Sequence, residues 1–163
     1  MVSYLPLFFV YEVSFIENYL KIIIDSSVLE RYNGFYFRSH PKAVKKPIEN
    51  PWHPSINTWM IMKRPAMNRL KAQWGDFVVW LMKDLRYDNY GIDSCDMVFT
   101  TYFPTKARHD TDNNVPKFFL DGLTESGFII DDDSKHLKSL TLKCGYDKEN
   151  PRMEIEVLNI ICK

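Results

Sequence analysis

The sequence predicts a two-layer α/β (α+β) sandwich, in which one mixed sheet is packed by two main helices and carries an N-terminal β-rich extension. Three observations predict this class. Two long segments have apolar residues at helical spacing, other segments alternate between apolar and polar residues, and the two kinds of segment follow one another along the chain. The length of 163 residues fits one domain with a real core.

Residues 1–42 are predicted to form the N-terminal extension. β-branched and aromatic residues dominate 7–13 and 19–24, which we expect to be two short strands of a β-hairpin. A polar stretch with several prolines, 40–54, then marks the boundary to the main domain, 43–163, and a short strand is expected before this stretch ends.

The apolar run near the N-terminus is interrupted by Glu12, Glu17 and Lys21 before it reaches a bilayer-spanning length. It has neither a basic leader nor a small-residue cleavage site. We therefore expect no membrane anchor and no secretion signal.

The main domain is predicted to contain five elements. In order, they are a helix over 65–85, a strand over 96–103, a helix over 114–126, and strands over 137–144 and 152–162. Pro65 suits the first turn of a helix, and Gly127 suits a helix end. The last two strands are joined by a short polar link and are expected to pair as an antiparallel hairpin.

The charge is balanced overall but uneven along the chain. The formal net charge is zero, which argues against a simple polycationic nucleic-acid coat. Nine basic residues nevertheless lie between Arg31 and Gly75 with one acid, Glu49, and carboxylates gather after residue 110. This separation suits a protein that binds a polyanion near an acidic site, although an ordinary solvated face has the same charges.

The three cysteines, Cys95, Cys144 and Cys162, contain no CxxC pair. This pattern indicates neither a disulfide framework nor a zinc site. Cys144 and Cys162 lie in or beside strand-like runs and are expected in the core. Free thiols favour a reducing, cytoplasmic location.

The stretch most informative about chemistry contains Asp110 and Asp112, followed after the second helix by Asp131, Asp132 and Asp133. In an extended segment, side chains two residues apart point the same way, and the helix returns the chain to the same region. Converging carboxylates repel unless a cation lies among them. Oxygen ligands without histidine or thiolate favour Mg²⁺, with Mn²⁺ as an alternative. Helix capping and a solvated loop are the competing explanations.

The same residues belong to a longer pattern. It consists of Asp110-Thr111-Asp112-Asn113, Lys117, Asp121-Gly122-Leu123, Gly127 and Asp131-Asp132, preceded upstream by His53-Pro54-Ser55-Ile56-Asn57. This pattern resembles the RusA family of Holliday-junction resolvases over roughly 45–162. The lysine lies one residue further from the second aspartate than is usual in that family, and residues 1–42 have no counterpart in its short members.

The resemblance implies an endonuclease that resolves four-way DNA junctions in recombination and repair and acts as a homodimer. Asp110, Asp112 and Asp132 would be the metal-binding catalytic carboxylates, and Lys117 would be the catalytic basic residue beside the scissile phosphate. The residues expected to bind the DNA backbone are Lys63, Arg64, Arg69, Lys71, Lys106 and Arg108. A non-catalytic branched-DNA-binding module and a nuclease for other DNA structures are the alternatives.

Overall fold

The computed structural model describes residues 18–163, which form one four-stranded mixed sheet with helices packed against it. The predicted fold class is confirmed. The elements are β1 (Tyr19–Ile24), α1 (Ser26–Ser39), α2 (Ile56–Trp59), α3 (Arg64–Asp84), β2 (Ile92–Phe103), a 3₁₀ turn (Thr111–Asn114), α4 (Lys117–Glu125), β3 (Leu137–Tyr146) and β4 (Arg152–Cys162).

The strand order across the sheet is β1-β4-β2-β3. β2 pairs in parallel with β3 and antiparallel with β4, so the predicted hairpin between β3 and β4 is wrong. α4 returns the chain to the start of β2, where Ile129 bridges to Ile92, and β3 therefore runs parallel to β2. The link to β4 then crosses the far end of β2, where the Asp147 N–H donates to the Phe103 carbonyl oxygen (3.0 Å).

The core lies between the sheet and the helices. The alternation of β2 buries Met97, Phe99 and Phe103, and the predicted strand 96–103 is confirmed. α3 begins one residue before Pro65 and buries Phe77 and Leu81, among others, which confirms the first predicted helix.

The second predicted helix begins later than expected. Residues 111–114 form the 3₁₀ turn, and α4 begins at Lys117 with Pro116 as its N-terminal cap residue. Proline disfavours helical backbone at the residue before it, and Val115 is accordingly extended (φ −61°, ψ 120°). Pro116 therefore separates the turn from the helix.

The described part of the N-terminal extension belongs to the same sheet and core as the rest. β1 pairs with β4, with Ile22 opposite Ile155, and the predicted strand 19–24 is confirmed. α1 was not predicted; the Asp25 carboxylate caps it by accepting the N–H groups of Ser27 and Val28. The proposed partner strand, 7–13, lies outside the described residues.

Two smaller expectations are wrong. The described stretch 40–54 contains no strand, since its prolines remove the N–H groups that a sheet ladder needs. Cys162 is exposed because it ends β4, past the irregular position Asn159 (φ 51°); Cys95 is buried, and Cys144 is partly buried. Between residues 18 and 163, no helix has both the length and the apolar character that spanning a membrane requires.

α4 packs against α3 at Gly122, where a Cβ atom would lie only 2.6 Å from the Val78 Cβ. We expect Gly122→Ala to lower the free energy of unfolding by about 1–3 kcal/mol through overpacking. Gly34→Ala is the matched control, because a Cβ there meets only the Arg38 guanidinium at 3.6 Å; it should raise stability by about 0.5–1 kcal/mol. Urea unfolding measures both, and equal effects would contradict the close packing of α3 and α4.

Candidate functional site

Asp110 and Asp112 follow β2 on the loop that leads into α4. Asp110 precedes the 3₁₀ turn, Asp112 lies within it, and the Asn114 side-chain amide donates to the Asp110 carbonyl oxygen (3.1 Å). Asp110 itself is extended, but the turn makes the expected extended conformation wrong from residue 111 onward. A 3₁₀ turn has three residues per revolution, so positions two apart do not share a face. Neither aspartate side chain caps the turn or α4, and the Asp110 carboxylate lies 3.3 Å from the Arg108 Nε.

The three aspartates 131–133 play different roles in their loop. The Asp131 Oδ1 accepts the Asp132 N–H (2.7 Å), and the Asp133 Oδ1 accepts the N–H groups of Lys135 and His136. These are local turn bonds. The Asp132 carboxylate makes none of them and instead lies 3.0 Å from the Lys117 Nζ. Of the three, Asp132 is the one whose side chain contacts another predicted site residue.

Lys117 is part of a chain of alternating charges, which we call the lysine–aspartate chain. It runs from Lys71 on α3 through Asp121 and Lys117 on α4 to Asp132. The successive N–O distances are 3.0, 2.7 and 3.0 Å. The chain joins two helices and the loop before β3, and it brings Lys117 into contact with Asp132 despite the longer link from Asp112.

The charges of this chain reinforce one another. The Asp121 hydrogen bond, aided by Asp132, raises the pKa of Lys117. Burial alone would raise the pKa of the Asp121 carboxyl, but the hydrogen bond from Lys117 and the ion pair with Lys71 lower it overall. Lys117 is therefore an ammonium at neutral pH, and Asp121 is a carboxylate.

The carboxylates suit a hard divalent cation in chemical type but not in arrangement. Within residues 18–163, no three or more histidine, cysteine, aspartate or glutamate side chains are grouped so that they could hold a metal ion. Asp110, Asp112 and Asp132 are thus not gathered into a ligand set. Basic side chains instead contact two of them, Arg108 at Asp110 and Lys117 at Asp132.

His53 is a buried residue beside this site whose role the sequence did not reveal. Its Nδ1 bonds to the Pro54 carbonyl oxygen (2.8 Å), and its Nε2 accepts the Phe118 N–H in the first turn of α4 (3.1 Å). Only a neutral ring with the proton on Nδ1 makes both bonds. Burial lowers the pKa of His53 to about 4, against the opposing effect of the Pro54 bond. The ring therefore anchors 53–54 to α4.

The predicted DNA-binding residues occupy two regions. Lys63, Arg64 and Arg69 are exposed around the first turns of α3 and have no ion pair with any described residue. Lys71 is committed to Asp121. Lys106 lies over the Tyr146 ring (5.1 Å from the centroid), and the Arg108 side chain, 91% exposed, contacts Asp110.

No protein-family model matches the chain, and no curated protein matches it significantly.

Protonation of His53 is expected to destabilise the fold. Its folded-state pKa of about 4 lies below the ordinary 6.5, so the unfolded chain binds the proton first as the pH falls. The stabilisation is complete above pH 6.5 and is lost between there and pH 4, by on the order of 3 kcal/mol.

His53→Gln provides the comparison, because its side-chain oxygen can still accept the Phe118 N–H but does not titrate. Urea unfolding between pH 7 and pH 4 should show a shallower decline for this variant than for the wild type. Parallel declines would show that His53 does not titrate as described.

Proposed function

We propose that this chain is a metal-dependent endonuclease that hydrolyses phosphodiesters of branched DNA, with the four-way Holliday junction as substrate. The observation that carries the proposal is the 3.0 Å contact between Lys117 and Asp132. It joins Lys117 to the second acidic motif, two separate parts of the pattern that resembles the RusA family.

Lys117 suits electrostatic stabilisation rather than proton abstraction. An ammonium whose pKa is raised by Asp121 and Asp132 keeps its proton at neutral pH. Its positive charge can therefore stabilise the negative charge that develops on a phosphate under attack. Asp121 holds the Lys117 Nζ at 2.7 Å and acts as its positioning residue.

The proposed metal is Mg²⁺, with Mn²⁺ as an alternative, held by Asp110, Asp112 and Asp132. If these residues held such a cation, it would supply a water of lowered pKa and a positive charge near the leaving oxygen. The proposal requires the first two aspartates to approach Asp132, since the described structure does not gather them.

Mg²⁺ should therefore raise the melting temperature of the wild type and have a smaller effect on Asp132→Asn.

The basic residues at the start of α3 supply the proposed contacts with the DNA backbone. Lys63, Arg64 and Arg69 are exposed and unpaired within the described part of the chain, so their charges are available to phosphates. A four-way junction has two-fold symmetry and needs two symmetric nicks. A homodimer would supply them, and we include it in the proposal.

A second function is favoured by a specific observation. Two of the proposed carboxylate ligands are in ion pairs with basic side chains. Among the described residues, no three metal-ligating side chains are grouped so that they could hold a metal ion. These features suit a non-catalytic module that binds branched DNA, in which the aspartates have structural roles. Metal-dependent cleavage separates the two functions.

The first experiment is incubation of the full chain with a synthetic four-way junction and a matched linear duplex, in Mg²⁺, Mn²⁺ or EDTA. The nuclease proposal expects paired symmetric nicks in the junction alone, which EDTA abolishes. Cleavage of other branched structures would instead indicate a nuclease of different substrate choice. Junction binding without cleavage under any metal would favour the binding module.

Asp110→Asn, Asp112→Asn and Asp132→Asn are each expected to reduce junction cleavage by at least about 100-fold. Folding should be retained, because the exposed or half-buried ion pairs of Asp110 and Asp132 contribute only about 0–1 kcal/mol, and Asp112 is exposed. Asp131→Asn is the matched control, since Asp131 bonds only the adjacent N–H. Normal cleavage by a variant, or unfolding, would contradict the assignment at that position.

Lys117→Ala should reduce cleavage by about 100- to 1,000-fold while DNA binding changes much less. Lys135→Ala is the control, because the Lys135 side chain is exposed and has no partner among the described residues. Single-turnover cleavage and DNA binding in EDTA measure the two effects separately. Equal losses in both variants would show that Lys117 acts only as a surface charge.

A further inference from the structure

Three aromatic rings form a column next to Asp110. The His109 ring lies parallel to the Phe103 ring, with centroids 3.6 Å apart and an interplanar angle of 7°, and the Trp52 ring meets Phe103 edge-on at 5.5 Å. We call these three residues the aromatic column. Phe103 is buried and lies between the half-buried Trp52 ring and the exposed His109 ring, each of which contacts it.

The His109 ring is held flat but otherwise has no partner. Neither of its nitrogens makes a hydrogen bond or ion pair with any residue in 18–163, and Phe103 is its one ring contact there. An exposed imidazole fixed by stacking on a buried ring loses little freedom when a further planar group binds to it. The ring is thus suited to stack against a flat ligand.

A basic groove adjoins the column. Its wall combines segment 45–54 with residues of α2 and α3, and it includes Trp52, Lys45, Lys46 and Arg69. The three basic side chains are exposed and form no ion pair within the described structure. Glu49 is the one acid among the described lining residues. Trp52 belongs to both features, so the groove and the column are contiguous through this residue.

We propose that the basic groove and the aromatic column together bind an unpaired DNA strand, an inference that rests on the proposed function by specifying the form of its substrate. Lys45, Lys46 and Arg69 bind successive phosphates, and one unpaired base stacks on the His109 ring. Stacking requires a free base face, which a continuous duplex does not offer. The protein therefore favours DNA whose branch point has unpaired nucleotides.

The stacking step is tested by fluorescence anisotropy in EDTA, with a labelled oligothymidine strand and a labelled linear duplex as probes. His109→Ala should weaken strand binding by about 5- to 100-fold and leave duplex binding within about twofold. His109→Phe keeps a flat ring and should bind the strand nearly as the wild type does. Equal losses on strand and duplex, or the same loss in both variants, would overturn the stacking role.

The groove is tested in the same assay with Lys45→Glu/Lys46→Glu. The matched control is Lys138→Glu/Lys148→Glu, which changes charge equally at two exposed lysines outside the groove. The groove variant should weaken strand binding at least tenfold. It should also lower the slope of log Kd against log salt by the amount expected for the loss of about two phosphate contacts. Similar effects of the two double variants would overturn the groove. A strand of RNA that binds as tightly as DNA would overturn the choice of DNA.

Binding in EDTA does not depend on cleavage, so the two proposals can fail separately. If the wild type cuts a junction with Mg²⁺ but His109→Ala binds the strand normally, the stacking inference fails and the nuclease stands. If the expected binding pattern is found but no metal supports cleavage, the nuclease fails and the strand-binding site stands. Melting temperatures of all variants confirm that folding is retained.

Discussion

The position of α4 depends on the hydrogen bond from the Phe118 N–H to the buried His53 ring. α4 has nine residues, and a helix of this length is not stable in water by itself. His53 satisfies one of its free N–H groups, and the close contact of Gly122 with Val78 fixes its distance from α3. Lys117 directly precedes Phe118, so the location of its ammonium group follows from these two contacts.

The lysine–aspartate chain positions groups more than it stabilises the fold. The Lys117 side chain is 46% exposed, and partly exposed ion pairs are weakened by solvent and salt. Their alternation nevertheless gives Lys117 two acceptors in different elements, α4 and the loop before β3. A cation approaching Asp132 must compete with this ammonium. Occupancy of the proposed metal site therefore depends on whether Lys117 stays paired with Asp132.

The sequence predicted elements well where one signal dominates, as in α3 and in the alternating core residues of β2. It failed where the formation of an element or the pairing of a strand depends on contacts with distant parts of the chain. Alternation identifies β3 and β4 as strands but does not say that both pair with β2. α1 was missed although Asp25 is a capping residue, because Gly34 and many polar residues hide its apolar face.

The site shows the same division. The motif singled out Asp132, and the structure places its carboxylate against Lys117. The 3₁₀ turn at Asp112 was not predictable, because Pro116 changes the backbone and leaves no periodic pattern in the sequence. The burial of His53 was equally invisible, since one histidine beside a proline has no periodicity to reveal it. Sequence reasoning thus found the charged groups and missed the contacts that orient them.

A net charge of zero conceals a difference between paired and unpaired charges. Asp121 and Asp132 lie in ion pairs, and their charges are largely offset by Lys71 and Lys117. The basic residues of the groove and of the first turns of α3 have no such partners in the described chain, so their potential extends into solvent. A phosphate backbone approaching this side therefore meets net positive charge although the whole molecule is neutral. This local excess, rather than the overall charge, is what makes nucleic acid a physically reasonable ligand.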